Sequence, residues 1–295
     1  MEIHYDGHEE QWKKSFTDPL RKRIAQSWLN NDNLGYLYNE MIRNIARPLI
    51  ESVPNTKWLT VGDGSFGSDA NYLIRNGLDA HASDMFPVLL EKGSELGFIK
   101  DYSKQNAESL TFSSNSFDYV FVKDALHHCP RPILALYEML RVARHAIVLL
   151  EPVDERRSLV HRILRLILRR KFDRYTDNFE EVGNYIYKFS ERELTKICLG
   201  LGLSACSFKR FNTYYFRGME FVPSSGGTYK DACSRIKYYY GLKRRNIFSA
   251  MALVKHDMMC SILFKTERPD VYAKLRREGF RIVCLPCNPF SQGGK

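Results

Sequence analysis

Short apolar runs alternate with segments of helical period between residues 57 and 150. Helical segments are predicted from 68 to 76, from beyond Asp84 to about 96, and from Pro132 to about 143, with Gly77 closing the first of them. Strands are predicted at 57–61, 80–83, 99–103, 117–122 and 146–150. Alternating strands and helices are typical of an open, mostly parallel sheet that is covered on both faces. The fold class predicted is therefore α/β and doubly wound.

The flanks extend this core in both directions. Apolar residues at three- and four-residue spacing in residues 1–50 (Trp12, Phe16, Leu20, Ile24 and Trp28) predict an N-terminal helical cover. Downstream, a helix capped by Ser190 and Glu193 is predicted, then strands at 206–211 and 259–264, a helix at 270–278 and a strand at 280–285. The predicted division is 1–50, helical cover; 51–152, cofactor-binding core; 153–189, basic insertion or lid; 190–265, the rest of the core with a Tyr-rich and basic insertion at 212–256; and 266–295, a C-terminal helix and strand.

A glycine-rich turn follows the first predicted strand and opens a helix. Gly62, Gly64 and Gly67 allow a tight turn and a close approach of the backbone to a ligand. Asp84 ends the next strand, where its carboxylate is placed to accept hydrogen bonds from both hydroxyls of a ribose. Together they predict a nucleoside-containing cofactor, and both a nicotinamide dinucleotide and S-adenosylmethionine (SAM) fit at this point.

The residues downstream resemble a known family. Asn106-Ala107-Glu108-Ser109-Leu110-x-Phe112, then Phe117-Asp118-Tyr119-Val120, Leu126-His127-His128 and Glu151-Pro152 are similar to the class I SAM-dependent methyltransferases, in particular a small-molecule, type 11-like group. The resemblance covers about residues 55–155, and the glycine turn looks like a subgroup found among bacterial glycan and secondary-metabolite proteins. It implies a Rossmann-like fold, SAM as cofactor and methyl transfer (EC 2.1.1.-).

The resemblance also implies roles for single residues. Gly62, Asp63 and Gly64 would line the methionine end of SAM, and the Lys123 backbone would lie near it. Asp84 would hold the ribose, with Met85 against the adenine and Asn106 and Ala107 beside it. Thr60 is a departure, since the family usually has an acid there, two positions before the first glycine. Backbone carbonyls or another group must then hold the SAM ammonium.

The sequence specifies the catalytic residues less well than the cofactor-binding residues. His127 and His128 are candidate general bases for an incoming hydroxyl, with His128 preferred, although a packing role fits both. Methyl transfer from SAM depends largely on alignment and does not demand such a group. Asp118 is expected to anchor its strand. Cys284 and Cys287 have the spacing of metal ligands but lack a second pair, so no metal site is predicted.

The net charge of the chain and its basic segments indicate which kinds of partner it favours. Lys and Arg number 44 against 34 Asp and Glu, a net charge of +10, which favours anionic partners. Residues 156–174 predict a basic amphipathic helix with Arg162, Arg165 and Arg169 on one face, which suits a lid, an anionic acceptor or peripheral membrane contact. Tyr238-Tyr239-Tyr240 before Lys243-Arg244-Arg245 supports an anionic partner, but no Asn-Pro-Pro-aromatic motif follows the fourth strand, so nucleic acid is disfavoured.

The sequence therefore predicts a SAM-dependent methyltransferase acting on a small molecule or a glycan or nucleotide-sugar intermediate. The acceptor is expected to be anionic and to be methylated on oxygen. No signal peptide or apolar run of membrane-spanning length occurs, so a cytoplasmic protein is expected, with a place at the inner face of a membrane left open. The alternatives are an NAD-dependent oxidoreductase and a non-catalytic module that binds membranes or anionic ligands on a methyltransferase fold.

Overall fold

The computed structural model describes residues 17–155, 179 and 185–287. Trp12, Phe16 and the basic segment 156–174 with its three arginines lie outside the described residues. The helices are α1 (Pro19–Ser27), α2 (Leu34–Asn44), α3 (Arg47–Ile50), α4 (Ser68–Arg75), α5 (Val88–Glu95), α6 (Pro132–Val142), α7 (Glu191–Gly200), α8 (Tyr229–Ala250) and α9 (Pro269–Arg277). Single 3₁₀ turns lie at Leu126–His128 and Met219–Phe221. None of the described helices is both long and apolar enough to cross a bilayer.

The strands of the described chain form one sheet. They are β1 (Lys57–Val61), β2 (Asp79–Asp84), β3 (Asp101–Lys104), β4 (Phe117–Lys123), β5 (Ala143–Pro152), β6 (Ala205–Phe211), β7 (Met258–Phe264) and β8 (Arg281–Cys284). Their order across the sheet is β3-β2-β1-β4-β5-β7-β6-β8. Strands β1 to β5 pair in parallel, whereas β7 is antiparallel to both β5 and β6, and β8 is antiparallel to β6. The chain thus has the doubly wound, mostly parallel Rossmann-like sheet predicted from its sequence, with an antiparallel end.

Alternate residues of the central strands face opposite sides of the sheet, which places a core on each side. On one side Trp58 stacks on Tyr119 with ring centroids 4.7 Å apart, and this core continues into α2, α4 and α9. On the other side Leu59, Val120 and Ile147 pack with residues of α6 and α7. The order reverses between β1 and β4, so a crevice opens at the carboxyl ends of these two strands.

Most element bounds lie within two residues of those predicted, and three regions differ. β3 begins at Asp101, while Ile99 is buried in the core ahead of it. β5 extends over ten residues with a bulge opposite β4. The Tyr-rich insertion contains a 22-residue helix, α8, which begins at a capping box of Thr228 and Asp231. The division into domains stays a prediction.

Asp118 ties β4 to its neighbours at the edge away from the crevice. Its Oδ2 accepts the backbone N–H of Lys57 at 2.9 Å, and its Oδ1 accepts a hydrogen bond from Arg144 at 2.7 Å. This is the strand-anchoring role predicted for Asp118. The backbone bond fixes where β1 starts, whereas Arg144 is largely exposed and its ion pair is screened by water.

We therefore expect Asp118→Ala to lower the free energy of unfolding by about 1–2 kcal/mol, because a charge-assisted backbone bond is lost. Urea denaturation followed by tryptophan fluorescence measures the change. The control Arg144→Ala removes only the exposed ion pair and should cost less than about 1 kcal/mol. An equal loss in the two variants would contradict the anchoring role.

Candidate functional site

The glycine turn lies at the carboxyl end of β1 and requires glycine at two positions. Gly62 has a φ of +73°, and a Cβ built on it would lie 2.3 Å from the Cβ of Ala125. Gly67 has a φ of +71° and directly precedes α4. The turn can therefore pack its backbone against Ala125, after β4, and against Ile99, before β3, only because these positions lack side chains.

Asp84 stands beside this turn at the end of β2. Its Oδ1 accepts the N–H of Phe86 at 2.8 Å, and the backbone N–H groups of Gly64 and Met85 also act on the carboxylate. Burial nevertheless raises the pKa of Asp84 to about 6, because three neutral donors compensate only part of the lost hydration. A buried carboxylate with spare acceptor capacity is suited to hydroxyl donors of a ligand.

Asp63 supplies a carboxylate within the turn, whereas position 60, where an acid was expected, holds Thr60. The Thr60 hydroxyl, which is fully buried, donates to Asp63 Oδ2 at 2.8 Å. The same carboxylate accepts the N–H groups of Asp69 at 3.0 Å and Ala70 at 2.8 Å, at the start of α4. The acid is therefore present one position after Gly62 instead of two positions before it. Burial and the nearby Asp69 carboxylate raise the pKa of Asp63.

Arg43 of α2 reaches the same place from the other side. Its Nε donates to Asp69 Oδ1 at 2.7 Å and a terminal nitrogen donates to Ser68 Oγ at 2.7 Å, while the guanidinium is almost wholly buried. No part of the site was predicted on α2. Arg43 shares its helix face with Asn39 and Glu40, a pattern typical of an exposed face, so the sequence carried no signal for its burial.

One cavity of about 660 Å³ joins these groups. Every residue predicted to bind the cofactor lines it: Gly62, Asp63, Gly64, Asp84, Met85, Asn106, Ala107 and Lys123. Trp28 just after α1, Tyr36 and Tyr38 of α2 and Tyr215 from the loop after β6 add aromatic side chains to its wall. The cavity volume lies within the range of sites that hold a cofactor together with a small substrate.

The end of β4 faces the aromatic part of the cavity. Lys123 Nζ donates to Asn39 Oδ1 of α2 at 3.0 Å and lies 3.2 Å from Asp124 Oδ2. Asp124 has a φ of +52°, a conformation that L-residues rarely adopt. Tyr38 and Tyr215 meet edge to face with ring centroids 6.0 Å apart, and the Tyr215 hydroxyl donates to Glu220. This group of residues, Tyr38, Asn39, Lys123, Asp124 and Tyr215, is called the acceptor chamber below.

Asn106 and Glu108 fold the segment after β3 into a tight turn along the cavity wall. Asn106 Oδ1 accepts the N–H of Glu108 at 2.9 Å. Glu108 in turn accepts both the backbone N–H of Arg131 at 2.6 Å and its Nε at 2.7 Å, which ties the turn to the start of α6. Glu108 therefore has a structural contact in addition to its place in the lining.

The two candidate histidines occupy different environments. His128 lines the cavity, whereas His127 is buried and is not among the cavity-lining residues described. His127 Nδ1 lies 2.5 Å from Glu151 Oε2, and Glu151 Oε1 accepts the N–H groups of Ala125 and Leu126 at 3.0 Å. Glu151 thereby holds the 3₁₀ turn that presents His128. Among the described residues, no group of three or more His, Cys, Asp or Glu is arranged to hold a metal ion.

Glu151 also gives a pH signature. Burial raises its pKa, but His127 and the two backbone donors outweigh burial and hold the pKa of Glu151 below its ordinary value of 4.5. A depressed pKa in the folded state stabilises the protein above the ordinary value, and this stabilisation is lost as the pH falls through the folded-state pKa.

We expect Glu151→Gln to lower the free energy of unfolding at neutral pH by about 3 kcal/mol, because an amide cannot accept all the bonds that this buried carboxylate accepts. Chemical denaturation at neutral and acidic pH measures it. The gap to wild type should narrow as the pH falls below 4.5 and through the lower folded-state pKa, where the wild-type carboxylate becomes protonated. The exposed control Glu51→Gln should cost less than about 1 kcal/mol, and a gap that does not change with pH would contradict the assignment.

Comparison with known proteins agrees with this geometry. Residues 59–150 match a family model described as a methyltransferase domain. A demethylmenaquinone methyltransferase of Renibacterium salmoninarum is 30% identical over 116 residues, which cover 39% of this chain and 48% of that protein. The chain thus spans about half the length of this curated relative.

Solved structures resemble the fold at low identity. The YcgJ protein of Bacillus subtilis is 16% identical, covers 76% of this chain and 99% of its own, and gives a TM-score of 0.49. A SAM-dependent methyltransferase of Archaeoglobus fulgidus is 15% identical, with 77% and 94% covered and a TM-score of 0.48.

The matched residues run from β1 to the carboxyl half of β5 and contain the glycine turn, Asp84 and the Leu126–His128 turn. The cofactor that this family implies is SAM, not the nicotinamide dinucleotide that the glycine turn alone left open. The sheet order, the site at the carboxyl ends of β1 and β4, and this match confirm the resemblance seen in the sequence: residues 59–150 form a class I SAM-dependent methyltransferase domain.

Proposed function

We propose that the protein binds SAM in the 660 Å³ cavity and transfers its methyl group to an oxygen atom of an uncharged small molecule or glycan held in the acceptor chamber. One observation carries the proposal: the buried Asp84 carboxylate, the glycine turn and the acceptor chamber all line the same cavity. Bound SAM supplies an electrophilic methyl group on a sulfonium centre. What remains for the protein is to bind, align and exclude water.

The residues present fit SAM at its nucleoside end. Asp84 has a carboxylate with spare acceptor sites, which suits two vicinal hydroxyls. Met85 and Ala107 offer apolar surface to a planar base. The Oδ1 of Asn106 already accepts the Glu108 N–H, so its amide nitrogen is the group left to face the base. Ala125 occupies the space that a Cβ on Gly62 would fill. With glycine at this position, the backbone of the turn stays accessible to a ligand.

At the methionine end, Asp63 and Arg43 provide opposite charges. We assign Asp63 to the ammonium group, in place of the acid that Thr60 lacks, because it is the carboxylate in the turn itself. A bound cation next to Asp63 would lower its raised pKa and stabilise the charged form. Arg43 borders the same part of the cavity and can face the ligand carboxylate without losing its bond to Asp69.

The charge of the lining favours an uncharged acceptor over an anionic one. Its carboxylates are Asp63, Asp69, Asp84, Glu108, Asp124 and Glu220, and its Lys and Arg side chains are Arg43, Arg75 and Lys123. This acidic surplus suits the net positive charge of SAM, but it repels an anion, so the anionic acceptor expected from overall charge finds no support here. The rings of Tyr38 and Tyr215 favour a flat aromatic or sugar partner.

In the wall of the same cavity, His128 is the general base we propose for the acceptor hydroxyl. It lines the cavity, and Glu151 fixes the turn that carries it. His127 is a positioning residue instead, since its Nδ1 is engaged by Glu151 and its ring lies 4.0 Å from that of His128. As the methyl group moves to oxygen, the hydroxyl proton passes to His128 and the oxygen remains neutral. The relative from Renibacterium is named for demethylmenaquinone, which supports an aromatic acceptor class.

The cofactor assignment predicts that Asp84→Asn weakens the binding of S-adenosylhomocysteine by about tenfold or more, because hydrogen bonds to a charged acceptor are lost. Isothermal titration calorimetry measures it. Wild-type affinity should fall as the pH is lowered through about 6, where Asp84 becomes protonated, and the variant should show no such dependence. Asp79→Asn at the exposed start of β2 is the matched control and should bind like wild type. Equal affinities for wild type and Asp84→Asn would overturn the site.

The assignment of Asp63 predicts a selective effect. Asp63→Asn should weaken S-adenosylhomocysteine by about fivefold or more, through loss of a charge-assisted contact to the ammonium group. It should leave 5′-methylthioadenosine, which lacks the amino-acid end, bound as by wild type. Calorimetric titration with both ligands separates this role from a collapsed turn, which would weaken both. Equal loss for the two ligands would contradict the ammonium role.

A further inference from the structure

Helix α8 presents an exposed stripe of apolar and aromatic side chains to solvent. Its members recur at intervals of four, three, four, seven and four residues and therefore share one face. They are Tyr229, Cys233, Ile236, Tyr240, Ile247 and Met251, the last just beyond the helix end. Ile236 is 68% exposed, Tyr240 65% and Met251 61%, so these are almost fully hydrated apolar groups.

The opposite face fixes the helix to the protein. Tyr238 is buried with Leu34 and Met219, and Gly241 packs so closely on the Tyr214 ring that a Cβ would lie 2.5 Å from it. Ser249 is buried on this side as well. The exposed stripe therefore cannot turn inward while this packing is kept, and its exposure is a property of the folded chain.

Charge along the helix is one-sided. Its sequence contains six Lys and Arg residues and a single acid, Asp231, which is occupied in the N-terminal capping box. Arg235 and Arg245 bond backbone carbonyls of the protein, and Lys237 lies over the Phe216 ring. Lys230, Lys243 and Arg244 remain exposed on the flanks of the stripe, and they form no ion pair with any residue of the described ranges.

We infer that the exposed face of α8 docks the protein on an anionic lipid surface. An apolar stripe with tyrosines and flanking cations is the composition that lies in the plane of a membrane interface, where apolar side chains enter the acyl boundary and cations reach the phosphate layer. The stripe runs for about 33 Å along the helix, at 1.5 Å per residue. This surface differs from the basic segment 156–174 and does not depend on the proposed methyl transfer.

Two other occupants fit less well. A second copy of the chain would bring Lys243 and Arg244 of each molecule against those of the other, with no carboxylate on the exposed face of α8 to compensate. Nucleic acid would pair cations with stacking aromatics, but half of the stripe is aliphatic: Ile236, Ile247 and Met251.

Co-sedimentation with phosphatidylcholine vesicles, with and without phosphatidylglycerol, tests the inference on the full chain. Wild type should sediment with the anionic vesicles and stay in solution with the neutral ones. Ile236→Gln/Ile247→Gln should weaken partitioning to anionic vesicles by about tenfold or more, since two buried apolar side chains are lost. The control Ile133→Gln/Leu134→Gln alters equally apolar, part-exposed residues of α6 and should leave partitioning unchanged.

The charge arm uses Lys243→Gln/Arg244→Gln, which should weaken partitioning by about tenfold or more at low salt. Arg276→Gln/Arg277→Gln on α9 removes the same charge elsewhere and should have little effect. Thermal unfolding checks that all variants fold, which exposed substitutions should permit.

Three outcomes would overturn the inference. The first is that wild type fails to sediment with anionic vesicles. The second is that both α8 variants partition like wild type, which would assign membrane contact to another segment. The third is that wild type binds an RNA oligonucleotide or self-associates in sedimentation velocity through the same α8 residues while it ignores vesicles.

Discussion

The buried carboxylate of Asp63 is the contact on which the site depends. One side chain accepts the hydroxyl of Thr60 at the end of β1 and two N–H groups at the start of α4, so strand, turn and helix are fixed by a single group. The donors at the helix start would otherwise be unsatisfied in a buried place. Arg43 then pairs with Asp69 of the same helix turn, which attaches α2 to the glycine turn. The wall of the cavity follows from these contacts.

A second buried carboxylate plays the matching part at β5. Glu151 holds the 3₁₀ turn after β4 through two backbone donors and His127. Asp63 therefore fixes the end of β1, and Glu151, which belongs to β5, fixes the turn after β4. In open α/β sheets, ligands bind between two such strand ends. Neither carboxylate is free to move without leaving buried donors unpaired, so the cavity is largely formed before a ligand enters.

The residues that the sequence predicted for the cofactor come together in one cavity because their chemistry is local. Gly62 and Gly64, the acid at the end of β2 and the segment from Asn106 to Glu108 lie at fixed distances from strand ends, and all of them line the cavity. The acceptor half depends on contacts between distant segments: Asn39 with Lys123, and Tyr38 with Tyr215. No periodic pattern shows such contacts. For the same reason the sequence preferred His128 over His127 without showing their different environments, since the contact of His127 with Glu151 exists only in the folded chain.

Of the sequence features, the net charge of the chain predicted the ligands of the cavity least well. The surplus of +10 belongs to the chain as a whole, whereas the cavity is acidic and the exposed cations of α8 lie on an outer helix face. The acidic cavity agrees with a cationic cofactor and an uncharged acceptor, and the exposed cations of α8 agree with an anionic surface.

We propose that SAM binds at the carboxyl edge of β1 and β2, with Asp84 on the ribose and Asp63 on the ammonium group. A crystal structure of the protein with S-adenosylhomocysteine tests both contacts at once. We expect ligand density in this cavity, with the ribose hydroxyls within hydrogen-bond distance of Asp84 and the amino nitrogen within such distance of Asp63. Density at another place, or an amino group held by backbone carbonyls with Asp63 still turned toward Thr60 and α4 alone, would contradict it.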